Sequence, residues 1–272
     1  MKCFFRVCSY ETCHSLLTRR FLGTAAAFTA MLLLDSATEI CFALFQDSYM
    51  GDICSLALNS MLGYSYMFWL RFCLFALPYG CSFFDEYSAK TAKYRLIRTS
   101  SVAYGTAKMV TNALLSAAAV FLSQMLYLIV MLALGFPLLE KHNQYIAEYT
   151  LLAAGHAAGF YLLLSVFNCF AAVFFSSLTM MLSAFLRNKY ILLAMPLTLF
   201  FCLDYFGGLW YPNGSTGNTV WTIRSVFFRL HFGTAQDTEF MAFCRTGLLT
   251  LVAFAIFTCI FVRRIRKVVE TE

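Results

Sequence analysis

One segment of this chain is longer and more apolar than an ordinary soluble core helix: MVTNALLSAAAVFLSQMLYLIVMLALGFPLL, residues 109–139, contains no Asp, Glu, Lys or Arg. A second uncharged segment follows at residues 149–186. Because about 20 mostly apolar residues in a helix cross the hydrocarbon core of a bilayer, each segment is long enough to span a membrane. The sequence therefore predicts a helical integral membrane protein.

The composition of the whole chain leads to the same fold class. Only 12% of its 272 residues are charged, against about 25% in typical soluble domains, and the mean hydropathy is +0.71. An all-α membrane protein with a single transmembrane domain over residues 1–272 is predicted, because little chain is left for a separate soluble domain. Six spans are expected near residues 21–43, 54–80, 107–137, 155–183, 190–207 and 241–262.

Positive charge is concentrated on one predicted side of the membrane. Fifteen of the twenty Lys and Arg fall in the N-terminal tail, in the links after the second and fourth spans, or after the sixth span. Since basic residues favour the cytoplasmic side, we expect a multi-pass protein of the plasma membrane with both termini in the cytoplasm. The net charge of +6 then reflects insertion and contact with the lipid bilayer rather than a nucleic-acid partner.

The N-terminal residues have two interpretations. Residues 1–40 resemble a long signal peptide with its apolar run at 21–34, although no clear small-x-small cleavage site follows Leu34. The favoured interpretation is an interfacial elbow helix before the first span. In that helix Phe5 and Cys8 would lie against lipid, while Arg6 and Glu11 would face water.

The residues that usually perform chemistry are scattered. The chain has eleven cysteines and four histidines, without a C-x-x-C pair or an H-E-x-x-H motif. It also lacks the G-x-x-x-x-G-K-[ST] loop that cradles phosphates. The sequence predicts no catalytic residue, no metal site and no cofactor of its own.

A few charged residues in or beside the predicted spans are candidates for a translocation path or a subunit interface. Asp35 and Glu39, one helical turn apart, and Asp204 would either line an outer vestibule or mark the membrane boundary. Arg71 is expected near the bilayer midplane, where an arginine faces a cavity, a partner or a backbone carbonyl. The alternative for Arg71 is a short reach to a nearby membrane boundary.

Two further features concern helix packing and the outer surface. Gly155 and Gly159, four residues apart, predict a close contact between helices. An outer segment rich in aromatic residues is predicted over 205–239, with a short interfacial helix inside it.

The link between the second and third predicted spans is DEYSAKTAKYRLIRTSSVAYGTAK, residues 85–108. A short helix in this charged segment would be presented to a cytoplasmic partner. This segment resembles the permease subunits of bacterial type-2 ABC exporters, which have six spans, an elbow helix and a coupling helix after the second span. The similar motifs are Glu86-Tyr87, then Leu96-Ile97-Arg98-Thr99, then Tyr104 with Lys108. Lys90 stands where many members have glycine.

The resemblance implies a permease that pairs with a second permease chain, identical or different, and with cytoplasmic ATP-binding subunits that hold ATP and Mg. The implied coupling residues are Glu86, Tyr87, Arg95, Arg98 and Lys108. Their charged groups would form salt bridges with the ATPase, and Tyr87 would be an apolar anchor. The alternative for each is an ordinary solvated or headgroup-facing side chain. An apolar lining favours a hydrophobic or amphipathic cargo, such as a lipid, drug or peptide.

Two rival functions stay open at the level of sequence. An ion-driven secondary carrier commonly uses buried acidic residues or broken helices near the midplane, and the acidic residues here lie near predicted span ends. An intramembrane enzyme would need clustered His, Asp, Glu or Cys side chains, which the predicted spans do not supply.

Overall fold

The computed structural model describes residues 2–16, 18–46, 51–62, 67–91, 94, 99–140, 149–186, 188–210 and 239–271. Over these residues the backbone forms helices joined by turns, with no β-strand. The helices are α1 (Lys2–Leu16), α2 (Arg19–Asp35), α3 (Ala37–Gln46), α4 (Ile53–Leu62), α5 (Leu70–Ala76), α6 (Ser82–Ser88), α7 (Ser101–Ala133), α8 (Thr150–Ala153), α9 (Ala157–Leu182), α10 (Lys189–Trp210) and α11 (Glu239–Thr271).

Three of the described helices are long and apolar enough to cross a membrane. They are α7 with 33 residues, α9 with 26 residues, and the 29 residues of α11 over Glu239–Lys267. These helices coincide with the spans predicted near 107–137, 155–183 and 241–262. The prediction of an all-α chain built on membrane-type helices is therefore confirmed.

The first predicted span is interrupted in the described residues, whereas the fifth is a single helix. α2 ends at Asp35 and α3 begins after Ser36. α2 with the second half of α1 is long and apolar enough to cross a membrane only if the two are taken as one span, which is bent by 58°. α10 extends as one helix of 22 residues over the fifth predicted span, 190–207.

The second predicted span, 54–80, is divided rather than continuous. α4 ends at Leu62, α5 covers only Leu70–Ala76, and turns follow at 77–81. Hydropathy averages over such interruptions, because turn residues inside an apolar segment leave its mean hydropathy high. The count of six spans, with an elbow helix and a coupling helix, stays a prediction. Most of the outer aromatic segment predicted over 205–239 lies outside the described residues.

Local signals explain where the longest helix begins and ends. The hydroxyl of Ser100 accepts a hydrogen bond of 3.2 Å from the backbone N–H of Ala103, which caps the first turn of α7. The helix ends before Gly135, whose φ of 88° lies in the left-handed region that glycine adopts most readily.

α9 lies at the centre of the bundle and contacts α4, α5, α7, α10 and α11. A cluster of aromatic rings joins three of these helices. The ring centroid of Phe72 in α5 lies 4.2 Å from that of Phe200 in α10 and 4.9 Å from that of Phe175 in α9. Because lipid is as apolar as these rings, helix association in a bilayer depends on such close packing rather than on the hydrophobic effect.

Charged residues separate to two ends of the bundle. We call one the basic end, where α2, α7 and α10 begin and α11 ends. Its described cations are Arg19, Arg20, Lys90, Lys108, Lys189, Arg263, Arg264, Arg266 and Lys267. We call the other the acidic end, where α2 ends and α4 and α11 begin. Its carboxylates are Asp35, Glu39, Asp52, Glu140 and Glu239.

Candidate functional site

A buried ammonium group forms the centre of the basic end. The side chain of Lys108 in α7 has 0% exposure. Its Nζ atom lies 2.5 Å from Glu86 Oε1, 2.7 Å from the Tyr79 hydroxyl and 3.4 Å from Glu11 Oε2. An ammonium group has three N–H donors, and these three acceptors account for all of them. We call Glu11, Tyr79, Glu86, Tyr104 and Lys108 the Lys108 cluster.

Two tyrosines complete the Lys108 cluster. The Tyr79 hydroxyl donates to Glu11 Oε2, and the Tyr104 hydroxyl donates to Glu86 Oε2 at 2.5 Å. The Lys108 Nζ atom also lies 4.8 Å from the ring centroid of Tyr79, where the negative face of the ring favours a cation. Each carboxylate therefore accepts hydrogen bonds from both a tyrosine and the lysine.

The Lys108 cluster connects parts of the chain that are distant in sequence. Glu11 belongs to α1, Tyr79 to the turn before α6, Glu86 to α6, and Lys108 to α7. Removing one partner of a buried ion pair leaves the other charge uncompensated, which typically costs about 3–5 kcal/mol. The cluster thus holds both the short helix α6 and the N-terminal helix α1 against α7.

Asp85, the neighbour of Glu86 on α6, links two more helices. Its Oδ2 atom lies 2.5 Å from Arg20 Nη1 in α2, and its Oδ1 atom lies 2.7 Å from Lys189 Nζ in α10. Partial burial disfavours the charged carboxylate, but hydrogen bonds from Lys189 and Arg20 outweigh that effect and hold the pKa of Asp85 below its usual value. Ionic contacts therefore connect α6 directly to α2, α7 and α10, and Lys108 of α7 in turn binds α1.

The predicted coupling residues take different places in the structure. Glu86 and Lys108 are brought together, whereas Tyr87 is 37% exposed and stacks on Phe83 with centroids 6.1 Å apart. Arg95 and Arg98 lie outside the described residues.

The positions of Lys108 and Glu11 differ from expectation. The resemblance implied that Lys108 meets a cytoplasmic partner, but its ammonium group is enclosed by this chain. Glu11 was expected to face water and is only 8% exposed. The reason is the same for both residues, since the two side chains neutralise each other and are buried together.

Arg71 belongs to a second buried network, which joins α2, α4 and α5. Its Nη2 atom donates to the Ser60 carbonyl oxygen at 2.7 Å and to the Ser60 hydroxyl at 2.8 Å. That hydroxyl donates to Asp35 Oδ2 at 2.8 Å. Arg71 is 1% exposed, and its guanidinium carbon lies 4.9 Å from the centroid of the Phe68 ring. In this structure Arg71 therefore lies among residues of its own chain.

The other acidic candidates are not brought into this network by the described contacts. Glu39 is half-buried in α3, beyond the helix break at Ser36 that follows Asp35. One of its carboxylate oxygens, Oε2, is buried without a hydrogen-bond partner among the described residues. The side chain of Asp204 lies outside the described residues.

Gly155 and Gly159 do not form a close contact between helices of the described chain. Gly155 has a φ of 76° and ends α8, where it donates a hydrogen bond of 2.9 Å to the carbonyl of Leu152. A Cβ atom at Gly155 would meet nothing within 4 Å, and one at Gly159 would meet only the Cβ of His156 at 3.9 Å. The conformation of Gly155 thus explains the turn between α8 and α9.

Sequence reasoning missed the contacts made by several residues of the Lys108 cluster, the Arg71 network and the Asp85 ion pairs: Glu11, Ser60, Tyr79, Arg20 and Lys189. One signal was available, because Tyr104 and Lys108 are four residues apart and share one face of a helix. The other contacts join residues too far apart in the chain for periodicity to reveal, such as Lys108 with Glu11 and Lys189 with Asp85.

The basic end has no described metal-binding group, and the chain has no detected relative. Where the chain is described, no group of three or more His, Cys, Asp or Glu side chains is placed to hold a metal ion. No family model, curated protein or solved structure matches the chain.

Proposed function

We propose that the chain is the membrane-embedded permease subunit of an ATP-driven exporter, with its basic end in the cytoplasm. One observation carries the proposal: α6 is bonded through Asp85 and Glu86 to three other helices, α2, α7 and α10. Two of these helices, α2 and α7, are predicted spans, and α10 begins a third. The orientation is supported by the concentration of basic residues at this end.

The bonds of α6 suit a helix that transmits force. A displacement of α6 would act on α7 through Glu86 and Lys108, and on α2 and α10 through Asp85. Tyr87 lies on the exposed side of α6 and is a large side chain that a docking subunit can reach. Buried ion pairs resist separation, so α6 and the helices bonded to it would move together.

The proposed complex contains a second permease chain and cytoplasmic ATP-binding subunits that supply the ATP and Mg sites. Transport would take place by alternating access between the two permeases. The cargo is proposed to be hydrophobic or amphipathic, such as a lipid, drug or peptide, because the described spans present mainly apolar side chains.

The test is purification of the tagged chain from its native host in mild detergent, followed by mass spectrometry of bound chains and an ATPase assay. We expect a stoichiometric ATP-binding subunit and vanadate-sensitive hydrolysis. Tyr87→Ala is expected to weaken retention of that subunit at least five-fold, the effect of about 1 kcal/mol, which is the threshold for a meaningful interface contact. Tyr190→Ala is the matched control, because Tyr190 is 84% exposed at the same end but lies on α10.

Tyr87 is a better test position than Glu86. A substitution at Glu86 would leave Lys108 without its shortest ion pair, so loss of a partner could result from misfolding. A reproducibly solitary chain without ATPase activity would contradict the proposal and favour an ion-driven carrier or a membrane enzyme. Equal losses in the Tyr87 and Tyr190 variants would contradict the docking role of α6.

A further inference from the structure

A groove opens at the basic end where α2 meets α10 and the turn before α6. Its volume is about 280 Å³, and Arg19, Arg20 and Lys189 contribute its charged lining. Gly23 contributes to the wall, and a Cβ atom at Gly23 would meet nothing within 4 Å. The groove is close to the lower limit of about 300 Å³ for small-molecule sites, which suits a headgroup rather than a whole lipid.

The charge of the groove favours an anion. Asp85 binds Arg20 and Lys189 from the side of α6, so three cations are accompanied by one carboxylate. A guanidinium has five N–H donors and an ammonium three, so donors of both side chains are left after these contacts. Arg19 and Lys189 are also the first residues of α2 and α10, and the positive ends of both helix dipoles lie at the groove.

The apolar part of the lining favours a lipid over a free anion. Leu77 and Leu193 line the groove beside the cations, and Leu77 is 40% exposed. Leu22 and Ile191, on the same turns of α2 and α10 as the charged residues, are 55% and 50% exposed. A charged site bordered by exposed apolar side chains matches the two chemistries of a phospholipid, a phosphate headgroup and acyl chains.

We propose that this groove binds the phosphate of an anionic phospholipid from the leaflet that contacts the basic end. Arg19, Arg20 and Lys189 bind the phosphate, and the acyl chains lie along Leu77 and Ile191. Basic pockets between membrane helices on the cytoplasmic side are a recurrent type of anionic lipid site. The inference requires only that the basic end meets a membrane surface, so it does not depend on the proposed transport function.

Native mass spectrometry of the full-length chain in detergent tests the proposal. The probes are dioleoyl phosphatidylglycerol, dioleoyl phosphatidylcholine and inorganic phosphate. Because each basic residue near an anionic surface contributes about 1 kcal/mol, phosphatidylglycerol is expected to bind at least about ten-fold more tightly than phosphatidylcholine. By the same estimate Arg19→Gln should weaken phosphatidylglycerol binding about five-fold.

Two further variants separate a specific groove from general charge attraction. Gly23→Leu places an apolar side chain in the groove, where a Cβ atom at this position would meet nothing within 4 Å, and it should weaken phosphatidylglycerol binding at least as much as Arg19→Gln. Arg263→Gln removes an exposed cation from α11 at the same end but outside the lining of the groove, and it should weaken binding clearly less than Arg19→Gln does. Unchanged thermal unfolding of the Arg19→Gln variant would show that its fold is intact.

Three results would overturn the lipid site. They are equal affinity for the two phospholipids, equal losses in the Arg19 and Arg263 variants, and binding of inorganic phosphate as tight as that of phosphatidylglycerol. If phosphatidylglycerol shows no selective binding but an ATP-binding subunit co-purifies, the lipid site is contradicted and the proposed function is not.

Discussion

Carboxylates at the two ends of the bundle are stabilised by different kinds of donor. At the basic end Glu86 and Asp85 bind the cations Lys108, Arg20 and Lys189 at 2.5–2.7 Å. At the acidic end Asp52 accepts hydrogen bonds from the backbone N–H groups of Ser55 and Glu140, and Glu239 accepts them from Thr150 and Leu151. The ion pairs at the basic end require both partners to be charged. The hydrogen bonds at the acidic end come from neutral donors and fix the ends of helices and loops.

The carboxylates at the basic end therefore join separate helices, whereas those at the acidic end fix short segments of the chain. Ion pairs at the basic end cross between helices and hold α6 to its neighbours. At the acidic end, Asp52 caps α4 and anchors the segment after α7, while Glu239 binds the first residues of α8. We therefore expect loss of charge to be costly at the basic end and mild at the acidic end.

The largest effect is expected for Lys108→Met. This change leaves Glu86 and Glu11 without the cation that they share, and the free energy of unfolding in detergent should fall by about 3–5 kcal/mol. Lys90→Met is the matched control, because Lys90 is exposed and keeps its positive φ with either side chain.

A double variant sharpens the interpretation of Lys108. Adding Glu86→Gln to Lys108→Met removes one uncompensated carboxylate and should recover part of the lost stability, so the two changes should be non-additive. Similar stability of the Lys108→Met and Lys90→Met variants would show that the buried pair of Lys108 and Glu86 does not stabilise the fold.

Arg71→Met tests the buried cation nearer the acidic end. We expect a loss of about 1.5–3 kcal/mol, the range for hydrogen bonds to charged groups, since Asp35 keeps its hydrogen bond from Ser60. Chemical unfolding of Arg71→Met, Ser60→Ala and the double variant measures the coupling. Because Ser60 connects Arg71 to Asp35, strictly additive losses would contradict this relay.

The sequence predicted the helical elements better than the contacts between them. The spans of α7, α9 and α11 follow from long apolar segments, which any helix in a bilayer requires. The division of the second span and the burial of Lys108 depend on turns and on partners in other helices. Glu11, for example, was expected to face water with Arg6, and its burial follows only from the packing of α1 against α7.

Asp85→Asn is expected to have a smaller effect that depends on pH. Asp85 is partly exposed, so the loss at neutral pH should be about 1 kcal/mol. The folded state holds the pKa of Asp85 below its usual value. Its contribution is therefore complete above the unfolded pKa of about 3.9 and is lost as the pH falls through the lower folded pKa.

Thermal unfolding of the wild type and the Asp85→Asn variant at several pH values tests this linkage. The two melting temperatures should differ by a constant amount between about pH 6 and pH 8 and converge under acid conditions, below about pH 4. A difference that grew on acidification would contradict the assigned sign.

Glu239→Gln is expected to have the smallest effect, because the donors at this site are a hydroxyl and a backbone N–H rather than cations. Glutamine keeps one oxygen that can accept either hydrogen bond, so the loss should stay within about 0.5 kcal/mol. Glu239→Ala removes both acceptors and should cost about 1 kcal/mol, as for a lost helix cap. If Glu239→Gln instead cost as much as Glu239→Ala, the negative charge itself would matter at this end, and the contrast between ionic and neutral stabilisation would not hold.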